Sequence, residues 1–141
     1  MKLSTRSRYG VRAMYELASK YGKGPITLKS IAEKQGISES YLEQLLVSLR
    51  NAGLIKSSRG AQGGYQLTKD PKDIRIGDII RILEGPIAPT ECVITEETDC
   101  RNADKCVTRL IWKEVKESLE GVLDSITLQD MCDKAKGKMI N

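Results

Sequence analysis

Between residues 28–35 and 39–51 the chain has only Gly36, Ile37 and Ser38 with which to turn a corner. Both flanking stretches read as short amphipathic helices. Thr27 supplies a hydroxyl to cap the first, Leu28, Ile31 and Ala32 face inward, and Gly36 stands where a left-handed residue ends a helix. Ser38 caps the second, which runs to about Asn51 and stops before Gly53. Two short helices joined by so tight a turn make a helix-turn-helix unit. Upstream, Gly10, Ala13, Met14, Leu17, Ala18 and Tyr21 recur at helical spacing. They predict a helix over residues 5–21 that Lys23-Gly24-Pro25 breaks.

The helix over 39–51 buries Leu42, Leu45, Leu46 and Leu49, leaving Ser40, Tyr41, Gln44 and Ser48 on its other faces. A recognition helix offers its N-terminal end to base edges, where short polar and amide side chains are useful. Strand-like residues 54–58 and 65–67 then flank Arg59-Gly60-Ala61-Gln62-Gly63-Gly64. Three glycines in six residues allow a close backbone approach, and Arg59 at their head suits a wing that enters a minor groove. The same glycines do not make a nucleotide-phosphate loop, because no Lys-Ser/Thr ending and no helix follow them.

Charge divides the chain in two. Residues 1–75 hold 14 Lys and Arg against 6 Asp and Glu, a balance of +8, and all five tyrosines. Residues 76–141 hold 9 against 13, a balance of −4. A basic module of this kind favours a polyanion, and nucleic-acid phosphates supply most of such affinity. No apolar run approaches the roughly 18 to 20 residues of a membrane span. The first ten residues lack the apolar core of a secretory signal. A cytoplasmic chain without membrane attachment is expected.

In the acidic half, residues 76–83 read as a short apolar helix packed on the winged module, ended by Pro86 and Pro89. A long helix over 104–123 carries Val107, Ile111, Val115, Leu119 and Val122 as a stripe flanked by Leu110 and Trp112. Such a face on a small protein calls for a partner surface, most economically a second copy related by a two-fold axis. The expected fold class is mainly α with a small β wing. It divides into a winged helix-turn-helix domain over 1–75, a linker helix with a cysteine-bearing loop over 76–103, and a dimerisation helix with a C-terminal tail over 104–141.

Cys92, Cys100 and Cys106 are separated by seven and five residues, and Cys132 lies apart. This is not the CxxC spacing of zinc ribbons or thioredoxin-like sites. The segment between them is polar and acidic (Glu91, Glu96, Glu97, Asp99), a poor setting for incidental core cysteines. An iron–sulfur cluster, a zinc site and a thiol switch all fit the spacing. Cys106, near a helix N-terminus, is expected to have a lowered thiol pKa. The chain contains no His. Without it, and without paired carboxylates or a nucleotide loop, an enzyme is not expected.

The motifs RYGVRAM, IAEKQGISESYLEQLLVSLRNAGL, SSRGAQGGYQL, IGDII, DKCVTRLIWKEV and ITLQDM together resemble the Rrf2 family of bacterial regulators, most of all its IscR-type iron–sulfur members, over nearly the whole chain. The resemblance implies a homodimer that represses or activates transcription at palindromic promoter DNA. It implies a 2Fe–2S cluster on Cys92, Cys100 and Cys106, with 4Fe–4S as the other nuclearity. The implied targets are iron–sulfur biogenesis genes; the alternative input is nitric oxide or thiol oxidation. By the same resemblance Ser40, Tyr41 and Gln44 read the major groove and Arg59 the minor groove. Glu43 selects cytosine through its amino group. Ser38, Arg50 and Gly60 complete the candidate DNA-contacting set. Three departures stand out. The first cysteine gap is longer than the family's usual one, and Arg109 occupies the place of the IscR-type histidine ligand. Arg8 falls in the region where nitric-oxide-sensing relatives use an aspartate. The fourth ligand is therefore left among Cys132, Asp104, Glu91, a residue of the second subunit and an exogenous thiol.

Overall fold

The computed structural model describes residues 2–97, 101 and 103–138. The first helix, α1, spans Thr5–Ser19 and is capped by Ser4, whose hydroxyl accepts from the Ser7 N–H. It ends two residues before the predicted Tyr21, in a turn at residues 20–22. α2 (Leu28–Gln35) and α3 (Glu39–Asn51) fall where the capping residues place them. Thr27 accepts from Ser30 N–H, Ser38 from Tyr41 N–H, and Gly36 has φ 63°. The wing is the antiparallel pair β1 (Ile55–Ser58) and β2 (Gly64–Leu67), in register from Ile55 opposite Leu67 to Ser58 opposite Gly64. Paired backbone hydrogen bonds of 2.8 Å between Ile26 and Tyr65 fasten it to the α1–α2 connection.

A 3₁₀ turn at Pro71–Asp73 leads into α4 (Ile76–Glu84). Another at Glu91–Val93 precedes the long helix α5 (Val107–Ser125). α5 begins three residues later than the expected residue 104, because Cys106 is its extended N-cap. The expected C-terminal tail is largely a helix, α6 (Leu128–Gly137). A reciprocal capping box between Thr127 and Asp130 starts it. Two backbone bonds of 2.9 Å, Ile76 N–H to Ile126 and Leu128 N–H to Ile74, tie its entry to the start of α4. From there α6 packs on α1, burying Leu128 and Cys132 in the same core.

That core is continuous across the expected boundary at residue 75. Leu42, Leu45, Leu46 and Leu49 of α3 are all fully buried, as are Met14 of α1, Ile31 of α2 and Ile79 of α4. Each such aliphatic side chain contributes roughly 1.5–3 kcal/mol. The inward face of α3 is thereby fixed, and with it the outward one. Helix α4 packs on α1, α3 and α5. Its closest approach to α1 is at Gly10, where a methyl group would collide with Leu83 Cδ1 and meet Ile79 Cγ2 behind it.

Gly10→Ala should therefore destabilise the fold. Alanine gains up to about 1 kcal/mol in helix propensity over glycine, but overpacking a filled core costs roughly 1–3 kcal/mol. A net loss of about 1 kcal/mol is expected in denaturant melts. A more stable variant would show that α4 does not sit this close.

Candidate nucleic-acid interface and cysteine-bearing segment

At the N-terminal end of α3, Ser40, Glu43 and Gln44 are exposed and unencumbered by the core stripe. Tyr41 is half-buried, its ring held edge-on to Tyr9 at 6.1 Å and 83°. Ser38 spends its hydroxyl on the cap, 3.3 Å from Tyr41 N. Arg59 and Gly60 lie exposed at the hairpin turn. There Gly60 takes φ 100°, a conformation that side chains resist, and its carbonyl accepts from Gly63 N–H at 3.0 Å. Arg50 reaches Ser57 Oγ at 3.4 Å, linking the end of α3 to β1.

Two arginines of α1 have roles that no local pattern announces. Arg6 donates to the Leu83 carbonyl at 3.3 Å and to Ser48 Oγ at 3.0 Å, joining the end of α4 to α3. Arg12 lies 4.9 Å over the Tyr9 ring and donates to Gln35, through its side chain at 2.8 Å and through its carbonyl at the end of α2. Among the described residues, every ion pair falls between positions 81 and 124. Among the described residues none of the 14 cations of residues 1–75 forms such a pair.

The cysteine segment is organised around Arg109, which is 93% buried at the first turn of α5. Its Nε donates to the Cys92 carbonyl at 3.1 Å and its Nη2 to the Glu96 carbonyl at 2.9 Å. Cys92 and Cys106 are both half-buried. The Cys92 thiol lies 3.1 Å from Thr90 Oγ1, and the Cys106 thiol 3.1 Å from Thr108 Oγ1. The Thr108 hydrogen bond, then the Arg109 backbone N–H, hold the Cys106 thiol below its ordinary range. The expected lowering is therefore present, with hydrogen bonding as its main cause.

Two half-buried thiols, one predisposed to ionise, suit soft-metal or cluster ligation. Cys100 lies outside the described residues. Among the described residues no three Cys, Asp or Glu side chains converge. Glu91 and Asp104 are exposed. Cys132 belongs to the α1–α6 core beside Tyr15, its thiol pushed up by burial, and is thus a packing residue and not a ligand of its own subunit's loop.

α5 has two unlike faces. Val107, Leu110, Ile111, Trp112 and Val122 are exposed. A groove of about 460 Å³ runs along Ile111, Val115, Leu119 and Val122. On the other face Arg81 of α4 grips Asp124 with two hydrogen bonds of 2.7 and 2.8 Å and reaches Glu120 at 3.2 Å. The lack of a side chain at Gly77 lets the Asp124 carboxylate lie against the first turn of α4.

A family model described as an iron-dependent transcriptional regulator, Rrf2, matches residues 3–134. The chain is 49% identical over 138 residues to the HTH-type transcriptional regulator CymR of Bacillus subtilis, covering 98% of this chain and 94% of CymR. It is 41% identical over 131 residues to the HTH-type transcriptional regulator IscR of Klebsiella pneumoniae, covering 93% of this chain and 79% of IscR. Among solved structures, T. potens IscR matches with TM-score 0.82 and 50% identity, over 100% of this chain and 93% of that one. The structure of B. subtilis CymR, titled the global cysteine regulator, matches with TM-score 0.81 and 49% identity, over 95% and 98%.

The Arg81 clamp has a pH signature. Hydrogen bonding to Arg81 holds the Asp124 carboxyl below its ordinary range. A lowered folded pKa contributes stability that is complete above the unfolded value, near about 3.9, and is lost as pH falls through the folded one. Asp124→Asn should cost about 0.5–1 kcal/mol at neutral pH, a small value because the pair is partly solvated. In melts from pH 7 downward, the gap to the unmutated chain should close below about pH 4. A gap independent of pH would contradict the ion pair.

Proposed function

We propose that this chain, which belongs to the Rrf2 family of transcriptional regulators, binds promoter DNA in the cytoplasm as a homodimer, and that an iron–sulfur cluster on Cys92, Cys100 and Cys106 sets how it binds. One combination carries the reading. A basic winged helix-turn-helix module without ion pairs among the described residues is joined by α4 to a segment whose half-buried thiols flank a buried arginine.

In this reading Ser40, Tyr41 and Gln44 address major-groove base edges, and Glu43 accepts from a cytosine amino group. Arg59, carried by the turn at Gly60, enters the minor groove, where narrow A·T-rich stretches attract cations. Ser38 caps the N-terminal end of α3, and Arg50 ties its C-terminal end to β1 of the wing. Pairing of two α5 apolar faces about a two-fold axis gives a palindrome reader, with half-sites about one helical turn, roughly 34 Å, apart. The cluster, 2Fe–2S or 4Fe–4S, supplies an oxidisable and removable group whose presence reports iron and sulfur supply, and iron–sulfur biogenesis genes are the targets such a signal suits. The chain's own residues hold the thiols and carry the segment against α5.

A second reading has its own support. The lowered Cys106 thiol suits direct oxidation, and the similar CymR of B. subtilis is described as a global cysteine regulator.

For the DNA half, binding to a promoter fragment should weaken with salt, log affinity falling by about 0.9 per phosphate neutralised for each tenfold rise. Arg59→Ala should weaken specific binding by roughly 1–3 kcal/mol, and Gln44→Ala should relax sequence preference more than it lowers non-specific affinity. Both variants binding like the unmutated chain would refute the groove assignment. For the input, anaerobic purification should give iron, sulfide and visible absorption that Cys92→Ala loses. A chain that binds no iron, yet forms a reversible Cys–Cys disulfide under mild oxidation by mass spectrometry, favours the second reading. Neither response would sink both.

A further inference from the structure

We infer that Arg109 is a positioning residue for the Cys92 thiol, a clasp on the cysteine segment and not a ligand. The inference deepens the cluster reading and rests on it for the metal arm of the test only. The guanidinium makes two directed hydrogen bonds to main-chain carbonyls, of Cys92 at 3.1 Å and Glu96 at 2.9 Å. A guanidinium has donors in a fixed fork and no lone pair to give a metal. It thus occupies the position of a ligand with a group whose chemistry is holding oxygen.

The clasp does not act alone. One α-helical face of α5 carries residues 109, 113 and 116, spaced four and three apart. Lys116 Nζ donates to the Ile94 carbonyl at 3.2 Å, and Lys113 Nζ meets the Glu96 carboxylate at 3.2 Å. Val93, 2% exposed, is buried within the same segment. Three of these four contacts use main-chain oxygens, so the path of residues 92–96 is set whatever their side chains. Cys106 stands three residues before Arg109 on the same helix start. The clasp therefore fixes the peptide of one thiol relative to the origin of the other. Lysine could replace one bond of the fork but not its planarity, and a neutral histidine, with a single N–H, could make at most one of the two bonds.

The test uses the full chain with Arg109→Ala, Arg109→Lys and Arg109→His. In the reduced, chelator-treated protein, iodoacetamide labelling is followed at each cysteine by peptide mass spectrometry. Arg109→Ala should speed Cys92 labelling about tenfold by populating an opened segment, with Cys132 labelling accelerated clearly less and the thermal midpoint lowered by about a few degrees. Arg109→Lys should fall between the two. After anaerobic reconstitution, iron and sulfide content should drop in Arg109→Ala, recover partly in Arg109→Lys, and not exceed the unmutated level in Arg109→His. Unchanged or slower Cys92 labelling in Arg109→Ala overturns the clasp, as does equal acceleration at Cys132, which would mean general unfolding. An Arg109→His protein richer in cluster than the unmutated chain overturns it too, because the position would then be a ligand site. If the unmutated chain takes up no iron, the cluster reading fails while the labelling still decides the clasp.

Discussion

The seat of α4 on α1, at the bare backbone of Gly10, is the contact through which the two halves of the chain become one body. Leu83 fills the space that a side chain at position 10 would take, and Ile79 and Ile80 continue the same core. α4 then touches α3 on one side and α5 on another. Arg6 bonds the last turn of α4 to Ser48 of α3, and Arg81 bonds its middle to Asp124 and Glu120 of α5. A segment held to α5 by Arg109 is thus connected by packed and hydrogen-bonded groups to α3, the helix proposed to meet DNA. Contiguity supplies the route; regulation needs two states of the segment that differ in free energy.

Charge is partitioned to the same end. In the C-terminal half Glu96, Glu120 and Asp124 are held in ion pairs with cations of the same half. The arginines of α1 are used as pins against neutral acceptors and an aromatic ring. The rest of the basic module keeps its charge for phosphates, where counterion release makes it useful.

Capping chemistry made α2 and α3 readable, because Thr27, Gly36 and Ser38 act on their own neighbours, and apolar spacing made α1 readable to within two residues. The exposed positions Ser40 and Gln44 followed from where the leucine stripe had to point, and Arg59 from the glycine-rich turn that it leads. What local pattern could not carry was the tertiary part. α6 is anchored by pairing of residues 74–76 with 126–128, some fifty positions apart, so its ten residues looked like a tail and Cys132 looked free. The start of α5 was placed early because an acidic residue 104 resembles a cap and a cysteine does not. Arg109 was recognisable as a departure from a ligand, but its acceptors are carbonyls, which leave no mark in a sequence. Cys100 lies outside the described residues.

The account's central claim is that the state of the cysteine segment changes how the winged module binds DNA. It is tested most directly by selecting genomic fragments with anaerobically purified protein and titrating the best fragment with the cluster-loaded and cluster-free forms at one salt concentration. The account predicts that the two forms differ in affinity by about tenfold or more, a coupling of roughly 1.4 kcal/mol, with the cluster-free Cys92→Ala protein matching the cluster-free form. Equal affinities and equal fragment preferences in both forms would contradict it.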